Sequence, residues 1–250
     1  MKRVFDHIQE KSREFTQRPL FVYLKDESLS PRDRLQFIPH IAHFVMTFAD
    51  LYHFFLTTDE PKDEYEVLAN THLSEEGSHW KWYLKDLTEL DLDPSLRLTD
   101  TLRFIWGDST INTRRLAYEI CKMTAGMNSL EKLVMIQAIE ATGRVGLEAS
   151  VPTGNKVKLD NGRSLIYFGG HHLDTERQHT VEQDDVHSSL LRVALDDATC
   201  QRLCGIVDDV FARFQGFVDE TFELAVSKKG FPADRPGKVA GPAAAAPPAE

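Results

Sequence analysis

Residues 129–150 read SLEKLVMIQAIEATGRVGLEAS. Leu133, Ile136, Glu140, Gly143 and Leu147 recur there at spacings of three and four, so they share one stripe of a helix. The stripe is apolar except for a single carboxylate. Its neighbours Ile139 and Ala141 give no sign of a solvent-facing patch. An unpaired carboxylate on an inward stripe is costly, so Glu140 must be paired or bound to something. Ser129 is the expected N-cap of this helix.

The same period extends outward in both directions. A first helix is expected over residues 3–16. A second starts at SPRDRL, with Ser30 as N-cap and Pro31 at the first helical position, and runs to about Leu56 with a kink at Pro39. A third covers 61–89. A short one lies near 100–106, capped by Thr99 or Asp100, and INTRRLAYEICKM forms another. Residues 151–170, VPTGNKVKLDNGRSLIYFGG, change character: Gly, Asn and Pro punctuate them, and Asn161-Gly162 reads as a turn, so a small hairpin or an ordered loop is expected. Helix resumes over 171–194 and again over 196–228. The fold class is therefore all-α, a single bundle of about seven helices over residues 1–228. The Pro- and Ala-rich stretch 229–250 lacks apolar periodicity and is expected to be a disordered tail.

Composition narrows the function classes. The chain has 250 residues, 42% hydrophobic and 27% charged, with a formal net charge of -10. That balance suits a globular protein and argues against nucleic acid or an anionic membrane as partner. Three cysteines are too few for a disulfide framework, MKRVFDHIQEKSREF has no apolar leader core, and no run approaches the roughly 18 apolar residues of a membrane span. A cytoplasmic location is expected, and a homodimer is the default assembly.

Two further stretches place polar groups on helical stripes. HHLDTERQH, residues 171–179, sets His172, Glu176 and His179 at i, i+4 and i+7, facing one way. EYEVLANTHLSEEGSHWKWYLKDL carries the stripe Tyr65, Leu68, His72, Glu75, His79 and Trp82, apolar or aromatic at both ends and His-Glu-His in the middle, with Glu76 beside it. Each signal alone has a plain explanation. Glu140 could be paired with an arginine or a hydroxyl, and either histidine stretch could be a solvated face. Together they form a ligand inventory: His72, His79, Glu140, His172, Glu176 and His179, with Glu75 and Glu76 in reserve. Imidazole with carboxylate and no cysteine suits iron or manganese rather than a structural zinc site, and bundle cores are where dinuclear sites are built.

This pattern resembles the haem-oxygenase-like diiron oxidases and oxygenases. The likeness rests on His72 and His79 on one helix, Glu140 on a later one, then His172, Glu176 and His179, and it spans roughly residues 30–225. Two positions depart from the usual pattern: His72 stands where glutamate is common, and Glu176 where aspartate is common. THLSEEGSHWKWYLKDL also looks like the amino-acid-converting, nitrile-forming branch of that superfamily.

The resemblance implies two Fe(II) ions, O2 as cosubstrate and an external electron donor. It also implies a small-molecule substrate (an amino acid, amine or carboxylic acid) in natural product biosynthesis, with Glu140 as bridging carboxylate. Asp174, Glu75 and Glu76 are the nearest candidates to orient the imidazoles. For a substrate pocket, Phe37, His40, Phe44, Met46 and Phe48 are candidate walls. Arg103, Arg114, Arg115 and Lys122 are candidate partners for a substrate carboxylate, and 151–170 is a candidate lid or connector. Two other functions compete: a metal-free enzyme of the same fold, of the thiaminase or cofactor-synthesis kind, with Cys121 as nucleophile, and a non-enzymatic metal-binding protein.

Overall fold

A computed structural model describes residues 1–73, 78–182, 190–191 and 193–227; of His72 and residues 177–182 it describes the backbone alone. The described residues are helical, with turns and irregular links and no strand among them. The tail from Lys228 onward, and with it the expected disorder of 229–250, lies outside the described residues.

The centre is α9, Ser129–Gly154, separated by four residues from α8 (Ile111–Thr124). Its cap is Asn128, one residue before the expected Ser129. The Asn128 Oδ1 accepts from the Glu131 amide at 2.9 Å, and the Glu131 Oε2 accepts from the Asn128 amide at 3.0 Å, a reciprocal capping box. Leu133, Val134, Met135, Ile136, Ala138 and Ile139 are all buried, so its first half is surrounded by other helices. The helix continues four residues beyond the expected end at Ser150, through Pro152. Pro152 is exposed, while Val151 and Thr153 on either side are buried. The Thr153 hydroxyl donates to the Leu24 carbonyl at 2.8 Å, and buried Arg34 donates to the same carbonyl at 2.7 Å. Those anchors hold the last turn against the proline's missing amide.

The other long helix, α11 (Asp197–Val226), is capped by Asp196, whose side chain accepts from the Thr199 amide at 2.7 Å. Leu203, Val207, Val210, Phe214, Phe217 and Thr221 form its buried stripe at spacings of three and four. It packs on α9, on α8 and on α1, Lys2–Phe15. A short helix that the sequence pattern did not reveal, α2 (Pro19–Leu24), follows α1 and packs on both α9 and α11.

The expected second helix is broken into pieces. It consists of α3 (Pro31–Arg34), a 3-10 turn over Ile38–Ile41, α4 (Ala42–Leu51) and a π-helical turn over Tyr52–Leu56. Ser30 caps α3 as expected, its hydroxyl accepting from the Asp33 amide at 3.1 Å. Regular α-helix has already ended at Arg34; Pro39, which has no amide hydrogen, sits in the first turn of the 3-10 segment, and the buried Tyr83 hydroxyl donates to the Ile38 carbonyl at 2.9 Å. The expected helix over 61–89 is also divided, into α5 (Glu64–Leu73) and α6 (Trp80–Glu89). The short helix near 100–106 is α7, Leu98–Ile105; its N-cap is Arg97, not Thr99 or Asp100. Residues 155–169 form no hairpin. They pack as an irregular connector, with Val157, Leu159, Leu165 and Phe168 buried, and lead into α10, Gly170–Glu182. The described residues form more and shorter helices than the expected seven or so. No helix among the described residues is long and apolar enough to cross a membrane.

Candidate metal centre

His79 stands at the N-cap of α6, a position that usually favours a short polar side chain able to bond the first amides. Its imidazole makes no capping bond, and His79 lines a cavity inside the bundle. The Trp82 ring stacks on it, with centroids 4.4 Å apart and planes 20° apart. The ring is thus held by the next turn of its own helix.

Opposite it, the first turns of α10 carry His172 and Glu176. His172 is 4% exposed and His79 is 7% exposed. The Glu176 Oε1 lies 3.3 Å from His172 Nε2 and 3.6 Å from His79 Nδ1. One ligand atom from each of these three residues falls within 4.8 Å of the other two.

The hydrogen bonding of His172 tells what the cluster lacks in protein atoms alone. Its Nδ1 is 2.9 Å from the Tyr167 carbonyl oxygen. A carbonyl only accepts, so Nδ1 must carry the hydrogen. In a neutral ring that leaves a lone pair on Nε2, aimed at a carboxylate oxygen that is also an acceptor. Two acceptors at 3.3 Å require a proton or a cation between them. Neutral Nε2 with a backbone-anchored Nδ1–H is how metal-bound histidines are held. Two imidazoles and one carboxylate, nearly dry and convergent, therefore fit a first-row divalent ion.

Glu140 lines the same cavity, partly buried, but is not one of the three residues in the 4.8 Å cluster. Its Oε1 accepts a 2.5 Å bond from the Tyr52 hydroxyl, so the simple pairing weighed for this residue is present. From Glu140 onward the expected inward stripe of α9 faces the cavity rather than the core: Gly143 and Arg144 are exposed. Glu75 and Glu76 lie outside the described residues, as do the side chains of His72 and His179, although the backbones of those two histidines belong to α5 and α10. Asp174 is exposed, and the group that orients His172 is a backbone carbonyl instead.

The cavity holds about 750 Å³. Its walls are mainly aromatic and aliphatic, including Phe37, Phe44 and Phe48 as expected. Phe44 packs against Phe217 of α11 at 4.6 Å, and Phe48 against Tyr52 at 4.8 Å. His40 and Met46 do not line it. His40 is buried with Nδ1 at 3.2 Å from the Phe37 carbonyl. His43 is buried between the Trp106 and Tyr118 rings, and burial, helped by nearby Arg114, holds its pKa below the ordinary value.

None of Arg103, Arg114, Arg115 and Lys122 lines the cavity. Arg103 pairs with Asp100, Arg115 with Glu119, and Arg114 ties down the carbonyls of Ile105 and Gly107. Among the described residues, the cations on the wall are Arg13 and Arg144. The 151–170 segment contributes Tyr167 and Phe168 to the wall as a packed connector. Cys121 is absent from the lining, and burial raises its thiol pKa, the opposite of what a nucleophilic thiolate needs.

Three contributors escaped the sequence. Tyr52 is hidden in an aromatic run, FADLYHFFL. Tyr167 acts through its backbone carbonyl, which has no sequence signature. Asp86, buried on α6 with its carboxylate accepting from the Ile166 and Phe168 amides on either side of Tyr167, did leave a signal: it follows His79 by seven residues, another carboxylate on an inward stripe. Among known proteins, no protein-family model and no curated protein matches this chain.

Proposed function

We propose that the protein is an O2-activating non-haem diiron oxidase or oxygenase that oxidises a small carboxylic acid, amine or amino acid. The observation that carries this reading is the dry cluster of His79, His172 and Glu176, with its two facing acceptors, at the wall of a cavity of about 750 Å³. In this reading Glu140, bonded to Tyr52, lends its carboxylate from α9, and His72 and His179 complete the pair. Bound ferrous ions would supply the electrons that reduce O2, and an external donor would restore them.

The chain's own residues do the rest. Tyr167 fixes the His172 tautomer, and Trp82 holds the His79 ring. Phe44, Phe48, Phe214 and Phe217 make part of the wall apolar, which strengthens charge interactions beside it. Apolar walls favour a substrate with a hydrocarbon body over a fully polar amino acid.

A second reading has its own observation. Glu140 stands apart from the three-residue cluster, and two histidines with one carboxylate can hold a single ferrous ion in an oxygenase. Stoichiometry separates the two readings: two irons per chain for the first, one for the second.

The activity test is O2 uptake by the iron-loaded protein with straight-chain carboxylic acids and amines of increasing length, beside polar amino acids. The expected result is uptake stimulated by the apolar-chain compounds and absent without iron. Uptake that no compound stimulates, or that persists without iron, would remove the oxidase reading.

A further inference from the structure

We propose that Asp86 is a positioning residue for His172, acting through the connector between α9 and α10. This inference rests on the metal reading of the cluster. Asp86 is 1% exposed and sits on α6, the helix that begins at His79. Its two carboxylate oxygens are divided between two amides of the connector. Oδ1 accepts from the Ile166 amide at 2.7 Å, and Oδ2 accepts from the Phe168 amide at 2.8 Å. The residue between them is Tyr167, whose carbonyl receives the His172 Nδ1 hydrogen at 2.9 Å.

This part of the chain is neither helix nor strand, so no ladder of backbone bonds sets its peptide planes. Asp86 does so in their place. Close packing leaves the connector little choice of path: a Cβ on Gly154 would meet the Phe168 oxygen at 1.8 Å, and one on Gly169 the Leu165 oxygen at 1.8 Å. Burying a carboxylate so completely is costly, and burial indeed raises the Asp86 pKa against the pull of its amide bonds. A neutral core residue would serve packing alone at less cost. What the carboxylate adds is two acceptors on one rigid group, able to fix a peptide from both sides. Helix α6 thereby supplies one ligand, His79, and also aims a second, His172.

Asp86→Asn is the test variant. An asparagine offers one carbonyl oxygen to one amide and turns its NH2 toward the other, where two donors meet. The first readout uses metal-free protein: the imidazole 15N shifts of His172, assigned with the His172→Gln variant. Wild type is expected to show the Nδ1–H tautomer, and Asp86→Asn a mixture. The second readout is anaerobic Fe(II) titration, in which Asp86→Asn should bind about tenfold or more weakly, as for the loss of other groups that orient a ligand.

An Asp86→Asn protein with an unchanged His172 tautomer and affinity within about twofold of wild type, whatever its melting temperature, would overturn the proposal and leave Asp86 a structural clamp. If wild type binds no iron while the tautomer still shifts in the variant, the metal reading fails and the control of His172 by Asp86 stands. Should Asp86→Asn fail to fold, Ile166→Pro removes one of the two amides while keeping the carboxylate. The same tautomer shift is expected there, and its absence would count against the proposal.

Discussion

At the scale of single residues, the candidate site is a cluster of two imidazoles and one carboxylate whose facing acceptors require a proton or a cation between them. Glu176 is the shared neighbour of both described imidazoles, at 3.3 and 3.6 Å. Glu176→Ala is therefore expected to abolish iron binding at the cluster while leaving the helical circular dichroism intact, and equilibrium dialysis would show it. Glu140→Ala is expected to cost at least one of two irons, and an unchanged iron content would take Glu140 out of the ligand set. Much at this scale was legible beforehand, because His or Glu on an inward stripe is expensive and so informative. His79, His172 and Glu176 do come together. Tyr52 and the Tyr167 carbonyl were not legible, since a phenol in an aromatic run and a backbone oxygen look like ordinary core and loop. Arg103, Arg114 and Arg115 could be read either as partners for a substrate carboxylate or as surface charges; they are tied locally, to Asp100, to the Ile105 and Gly107 carbonyls and to Glu119, as the plainer reading holds.

At the scale of elements, helices with their own caps and long apolar stripes were readable. α9 and α11 fell within a few residues of expectation, set by Asn128 and Asp196 at their starts. The broken segments were not: at one of them the Tyr83 hydroxyl bonds the Ile38 carbonyl, a tertiary contact with no signature in the sequence. α9 also carries a choice that favours the cavity over the helix. Gly143 and Gly146 sit one turn apart on it, and a Cβ at either would meet nothing within 4 Å. Neither has a positive φ. Glycine inside a helix costs roughly 0.5–1 kcal/mol relative to alanine, so Gly143→Ala should raise stability by about that amount in chemical denaturation. A bulkier change, Gly143→Phe, should leave stability near wild type but fill cavity space. Substrate-stimulated O2 uptake should then fall for the longest-chain compounds first, and an unchanged chain-length profile would separate this wall from substrate.

At the scale of the whole molecule, the aromatic core joins the site to the bundle. Phe15, Phe21 and Phe211 form edge-to-face pairs at 5.1 and 5.7 Å on the side of α1, and Phe211 is 1% exposed. Phe211→Ala should cost about 3–5 kcal/mol, measured by denaturant unfolding. The buried His43 makes the fold sensitive to acid. Its folded pKa lies below the unfolded value, so the unfolded chain takes up a proton first as pH falls, and stability declines below the ordinary histidine range. His43→Phe should therefore melt with a smaller drop between neutral pH and pH of about 5.5 than wild type does. The central claim concerns metal, and anaerobic titration of the metal-free protein with Fe(II) tests it most directly. The result expected is saturable binding of two irons per chain, with His172→Ala losing the tighter one. A chain that takes up no iron, or a His172→Ala variant that binds as wild type does, would contradict the account.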